Sequence, residues 1–247
     1  MKKRLDLLLV EKKWADTPSR ARSLIMSGNV LVDRHPADKA GLLIGEAAVI
    51  TVKDRAHPYV SRGGVKLAGA IKDFNLKIAG LTCLDVGAST GGFTDCLLQS
   101  GAKQVFAVDV GYGQMAWQLR TDPRVVVIER TNIRHMQTDI IKERIDLATI
   151  DVSFISLKKV VPRVLSCLND PATIVALIKP QFEVRQGCVG KGGVVRDPAQ
   201  HQEVILDLTD FFQAQGLTNS AVVPSPLLGP KGNKEFFIHL KFHQEGG

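Results

Sequence analysis

The sequence predicts an α/β protein: a doubly wound, mostly parallel sheet preceded by a small N-terminal α+β module. Three observations carry this. From residue 63 onward, short apolar runs alternate with segments of helical periodicity. The apolar runs are nearly continuous, as strands covered by helices on both faces must be. The first of them breaks into LDVGASTGG at residues 84–92, a glycine-rich strand-to-helix turn of the kind that holds ligands beyond the carboxyl ends of such sheets.

Composition bounds the classes. The 247 residues are 45 % apolar and 23 % charged, enough for a sizeable core. No apolar run approaches the roughly 18 residues of a membrane span, and MKKRLDLLLVEKKW is too short and too acidic for a secretory leader. A cytoplasmic location is expected. Cys83, Cys96, Cys167 and Cys188 show no C-x-x-C spacing and read as reduced thiols. The six histidines are scattered, so no metal site is expected. The formal charge of +7 permits a polyanionic partner.

The front module spans 1–55, with eleven basic residues against seven acidic ones. Leu5, Leu8 and Leu9 have helical spacing. Thr17 and Pro18 open a second helix that carries Ala21, Leu24 and Ile25 on one face and ends at Gly28-Asn29. NVLVD and AAVITVKD read as short strands. The run RLDLLLVEKKWADTPSRARSLIMSGNVLVD, with Ser19-Arg20, Leu24-Ile25, Gly28, Val30 and Val32, resembles the S4 domain, a small RNA-binding module. Lys2, Arg4, Arg20 and Arg22 are its candidate phosphate contacts. AHPYVSR, 56–62, reads as a linker, and Arg62 at its end joins the RNA-facing set.

The second domain is assigned to 63–247. GGVKLAGAIKDFNL is an amphipathic helix with Leu67, Ala70, Ile71 and Phe74 in a stripe. TCLDVG, QVFAVDVG, RVVVIER, IDLATIDVS and TIVALIKP are strands. GGFTDCLLQSG, MAWQLRTD, SLKKVVPRVLSCL and VILDLTDFFQAQG are the helices that go with them. EFFIHLKF closes the chain with alternating polar residues, which suits an antiparallel edge strand.

The turn is neither a P-loop nor a full G-x-G-x-x-G, since Ser89 stands at the second glycine position. Gly87, Gly91 and Gly92, with Ala88, Ser89 and Phe93, leave the backbone open to close approach. Asp109, at the end of the next strand, suits a ribose diol, which is compatible with NAD as well. Asp85 decides between them: a carboxylate there repels a pyrophosphate and suits the cationic amino-acid end of S-adenosylmethionine (SAM). Asn132, after the third strand, is a candidate for the adenine or ribose and equally for a cap.

Asp151 and Lys179 each terminate a highly apolar strand, whereas Lys66 and Glu235, taken singly, read as surface charges. SRGGVK, DVSF, LIKPQFE and NKEFF, followed by VGKGGVVRDP after KPQFE, make the domain similar to the RrmJ/FtsJ-like family of SAM-dependent RNA 2′-O-methyltransferases, on a Rossmann-like methyltransferase sheet. With the S4-like module, the chain looks like the TlyA/hemolysin A family of ribosomal RNA methyltransferases. The resemblance implies a Lys66-Asp151-Lys179-Glu235 catalytic set, SAM as cofactor and cytidine in ribosomal RNA or ribosomal subunits as target. No membrane partner is expected, since the sequence shows no amphipathic or apolar membrane segment, and no required protein partner is evident. The Gly-rich 183–197 stretch, with Arg185, Lys191 and Arg196, suits an RNA-facing lid. The competing readings are a non-catalytic RNA-binding or assembly factor, a membrane-active hemolysin and a NAD-linked oxidoreductase.

Overall fold

The computed structural model describes residues 2–15, 17–26, 28–45, 48–52, 57–137, 140–185, 189–190 and 192–243. Two RNA-facing candidates, the Arg20 side chain and Lys191, lie outside the described residues. The chain divides into two compact units, Met1–Pro58 and Tyr59–Gly247. Among the described residues no helix is long and apolar enough to cross a membrane.

In the first unit β1 (Lys2–Arg4) runs directly into α1 (Leu5–Glu11), and α2 (Pro18–Met26) follows with proline in its first turn. Leu5, Leu8 and Leu9 from α1 meet Ala21, Leu24 and Ile25 from α2, all buried, over Val30 and Ile44. Gly28 takes φ +72°, and its N–H and that of Asn29 cap the carbonyls of Ile25 and Leu24. A three-stranded antiparallel sheet joins β2 (Val30–Val32), β3 (His35–Pro36) and β5 (Ile50–Val52), while β4 (Leu43–Gly45) pairs with β1.

The second unit opens with α3 (Arg62–Asp73). Then come β6 (Thr82–Val86), α4 (Gly92–Gln99), β7 (Gln104–Val108), α5 (Trp117–Arg120), β8 (Val125–Ile128) and β9 (Ile145–Ile150). After α6 (Val161–Val164) follow β10 (Leu168–Ile178), α7 (Pro180–Glu183), α8 (Pro198–Ala214), β11 (Leu217–Pro224) and β12 (Phe236–Phe242). The sheet order is β11-β12-β10-β9-β6-β7-β8. β10, β9, β6, β7 and β8 are mutually parallel, and β12 inserts antiparallel between β10 and β11. Chain order reverses between β6 and β9, which opens a crevice at their carboxyl ends. Every residue of β6 is buried.

Three expectations change. β12 is interior, because β11, unrecognised in the sequence, covers its outer side. LTNSAVVP hides as a strand: its residues are mostly part-exposed and polar ones interrupt the run. SLKKVVPRVLSCL is not one helix. It breaks into 3-10 turns at Leu157–Lys159 and Leu165–Cys167 around the four-residue α6, since Pro162 lacks an N–H and cannot sit inside a longer helix.

Candidate active site

Strand register builds the site. Val86 of β6 lies beside Val108 of β7 and Ile150 of β9. Gly87 N–H donates to the Val108 carbonyl and Asp151 N–H to the Val86 carbonyl, each at 2.9 Å. The three strands therefore finish level, and the next residues of each, Gly87, Asp109 and Asp151, stand around one crevice. β10 ends at Ile178, and Pro180, whose missing N–H cannot continue the ladder, turns the chain into α7. That leaves Lys179 at the strand end, only 9 % exposed.

The four residues from distant stretches meet as two ion pairs. Lys179 Nζ lies 2.6 Å from Asp151 Oδ1 and donates to Ser153 Oγ at 3.0 Å. Lys66 Nζ, from α3, donates to Glu235 Oε2 at 2.5 Å. Glu235 is buried, and its Oε1 has no hydrogen-bond partner among the described residues. A Cβ on Gly229 would stand 1.9 Å from that oxygen, so the glycine makes room for the carboxylate.

Two cavities flank these pairs. One, about 550 Å³, is lined by Lys66, Arg62, Ser61 and Lys231 among others. The other, about 860 Å³, is lined by Asp109, Val110, Asn132, Ile133 and Phe154 among others. Gly87, Ser89 and Asp151 line both. The cavities thus share a wall, and the Asp151 carboxylate stands in it.

The turn residues divide. Gly87 (φ +85°) and Gly91 (φ +92°) take left-handed backbone, but the protein itself fills the space a side chain would need. A Cβ would meet the Asp151 carbonyl oxygen at 2.3 Å from Gly87 and Leu119 Cδ1 at 2.3 Å from Gly91. From Gly92 it would meet Ser61 Oγ at 2.2 Å. Ala88, Ser89 and Gly92 line the Lys66 cavity. Phe93 touches its floor but packs in the core against Phe237, at 6.1 Å between ring centroids, instead of facing the Asp109 cavity.

Asp85 departs most from expectation. It is fully buried, lines neither cavity and accepts from Thr94 Oγ1 at 2.7 Å. Burial pushes its carboxyl up to about 7, against the pull of that hydrogen bond. β6 is covered on both faces, so the residue before its last faces inward. Its Oδ1 is buried with no hydrogen-bond partner among the described residues. Asp109 is half-buried at the rim and accepts from Ser89 N at 2.7 Å and Gly111 N at 2.6 Å. Each oxygen keeps a second lone pair. Asn132 Oδ1 caps the Ile133–His135 turn through Arg134 N at 3.1 Å, while the residue also lines the cavity. The rim carboxylate of Asp109, with a lone pair left on each oxygen, suits a ribose diol and so fits SAM there, whereas Asp85, which lines neither cavity, offers the ammonium no direct contact.

The RNA-facing candidates also divide. Lys2, Arg62, Arg185 and Arg196 are exposed. Arg4 and Arg22 both bind the buried carboxylate of Asp6, Arg4 through Nη2 at 2.8 Å and Arg22 through Nε at 3.2 Å, and each remains about half exposed. The 183–197 stretch is not wholly free to close as a lid. Asn233 accepts from Val195 N and donates to the Gly193 carbonyl, both at 3.0 Å, and Val194 and Val195 are buried. Asn233, Ser153 and Lys231 went unnoticed in the sequence. Only the nearness of Asn233 and Lys231 to Glu235, and of Ser153 to Asp151, marked them.

Residues 59–242 match the FtsJ-like methyltransferase model, and residues 3–50 match the S4 domain. The chain belongs to the TlyA/hemolysin A family, an FtsJ-like methyltransferase carrying an S4 domain. It is 47 % identical over 239 residues to the 16S/23S rRNA (cytidine-2′-O)-methyltransferase TlyA of Mycobacterium tuberculosis, covering 96 % of this chain and 89 % of that one. Hemolysin A of Brachyspira hyodysenteriae is 38 % identical, with 96 % and 99 % covered. A solved structure of a candidate hemolysin from Streptococcus thermophilus superposes with TM-score 0.77 at 39 % identity, covering 99 % and 90 %. A Burkholderia thailandensis N-methyltransferase structure holding S-adenosylhomocysteine shares the fold, with TM-score 0.52 at 20 % identity, covering 73 % and 79 %. In this FtsJ-like unit, the two ion pairs are built from the four motif positions SRGGVK, DVSF, LIKPQFE and NKEFF.

Proposed function

We propose that the protein transfers a methyl group from SAM to the ribose 2′-hydroxyl of a cytidine in ribosomal RNA. One observation carries the reading: Asp151, paired to the buried Lys179, lies in the wall common to two cavities. Adjoining cavities let a methyl donor in one come into line with an acceptor in the other. The relative that is named as a cytidine-2′-O-methyltransferase on 16S and 23S rRNA supplies the substrate class.

Bound in the Asp109 cavity, SAM supplies an electrophilic methyl carbon and a sulfur leaving group. The protein does the rest. Asp109 takes the ribose diol, while Asp85, buried and lining neither cavity, supports the turn from behind through Thr94. Beside Asp151 at the wall, Lys179 donates to the target 2′-oxygen and stabilises its developing negative charge. Asp151 orients that lysine and passes the departing proton toward water. Lys66, fixed by Glu235, holds the hydroxyl in line. A cytoplasmic location accords with the free, buried Cys83, Cys96 and Cys167.

The test is to incubate the protein with tritiated SAM and either ribosomal subunits or naked rRNA. Label should enter RNA. A protein that binds SAM yet labels no RNA would overturn the reading.

A further inference from the structure

A second cationic surface lies away from the four-residue set. Arg134, His135, Lys158, Lys159, Pro162 and Arg163 line an open groove of about 430 Å³. They come from three separate elements: the turn Ile133–His135 after β8, the turn Leu157–Lys159 after β9, and α6. The sheet topology gathers them, because β9 crosses back past β6 and brings its following turn to this end of the crevice. No sequence window holds the cluster, so it was not visible there.

The groove is unbalanced in charge. Lys158 Nζ is held by Asp207 Oδ1 at 2.7 Å. Among the described residues no carboxylate pairs with Arg134, Lys159 or Arg163, and Lys159 and Arg163 are exposed. Arg134 Nε is buried and has no hydrogen-bond partner among the described residues. Arg134 and Lys159 also line the Asp109 cavity, so the groove continues from that cavity's rim.

We propose that this groove holds the phosphodiester backbone of the RNA strand that carries the target ribose. Cations spread along an open groove suit a repeating phosphate charge and carry no base readout. The inference rests on the ribosomal RNA reading above and deepens it: the methyltransferase unit grips its substrate strand itself, through contacts separate from the S4 domain.

Arg163 tests it, since it lies in the groove and lines neither active-site cavity. Full-length wild type, Arg163→Ala, Arg163→Glu and Arg163→Lys are titrated with an rRNA fragment over a range of salt concentrations. Methyl transfer is followed in parallel. Arg163→Ala should lower the slope of log affinity against log salt by about 0.7 for one lost phosphate contact. Arg163→Glu should weaken binding about tenfold at low salt and raise the RNA KM by the same factor. Its kcat and SAM affinity should stay at wild type, and Arg163→Lys should keep wild-type slope and KM. Wild-type affinity and slope in Arg163→Glu would overturn the inference. So would competition for the groove by polyglutamate in preference to RNA, which would assign it to an acidic protein. Failure of the underlying reading looks different: there, wild type itself labels no RNA.

Discussion

Lys179 and Asp151 meet at 2.6 Å across neighbouring parallel strands, with the lysine almost wholly buried at the end of β10 and the carboxylate in the wall between two cavities. A buried ammonium needs its counter-ion, and that counter-ion, Asp151, lines both cavities. Replacing Lys179 with alanine should therefore lower kcat by about 100- to 1,000-fold, the range for one lost donor to a developing oxyanion. SAM affinity, measured by calorimetry, should be unchanged. Near-normal turnover would refute the role.

Gly229 is a quieter test of the second pair. Its missing side chain is where Glu235 Oε1 sits. Gly229→Ala should drive Glu235 off Lys66, cost about 1–3 kcal/mol in stability as an overpacked site does, and reduce transfer while SAM still binds. A variant with intact transfer and an unchanged melting temperature would show that the carboxylate moves freely.

Asp109 accepts the backbone N–H groups of Ser89, in the glycine-rich turn, and of Gly111, and each oxygen keeps a second lone pair. Asp109→Ala should weaken SAM binding about 10- to 100-fold, as lost hydrogen bonds to a charged group do. Wild-type affinity by equilibrium binding would remove it from the cofactor site.

Two buried carboxyls give opposite pH signs. Asp85 is pushed up to about 7 by burial, so folding favours its neutral form. Its contribution to stability is full below about 4, the ordinary aspartate value, and is lost as pH rises through 7. Asp6 is held down at about 2 by Arg4, against the desolvation of burial, with help from Arg22. Its contribution is full above about 4 and is lost as pH falls through 2. In thermal melts Asp85→Asn should flatten the decline between pH 5 and 8, and Asp6→Asn should flatten the decline below pH 4. Unaltered pH profiles in both variants would contradict these environments.

Much of this site could be read from the sequence, because functional residues of a doubly wound sheet follow strand ends. Asp109, Asp151 and Lys179 do so after plainly apolar runs. Lys66 and Glu235 do not, and only the family resemblance singled them out; the fold then pairs them from 169 residues apart. What stayed hidden depended on packing. The inward turn of Asp85 follows from β6 being covered on both faces. The glycines of LDVGASTGG are required chiefly by protein atoms, the Asp151 carbonyl and Leu119, which no local pattern shows. Asn233 pins Gly193 and Val195 from 40 and 38 residues away. β11 was missed because it is a half-exposed, partly polar strand, and without it the alternating polar residues of β12 read as an edge.

The most direct measurement is to digest labelled ribosomal RNA to nucleosides after transfer from methyl-tritiated SAM. The account predicts that the label is recovered in 2′-O-methylcytidine and is absent from the Lys179→Ala reaction. Label on a base, or on a ribose at the wild-type rate in Lys179→Ala, would contradict it.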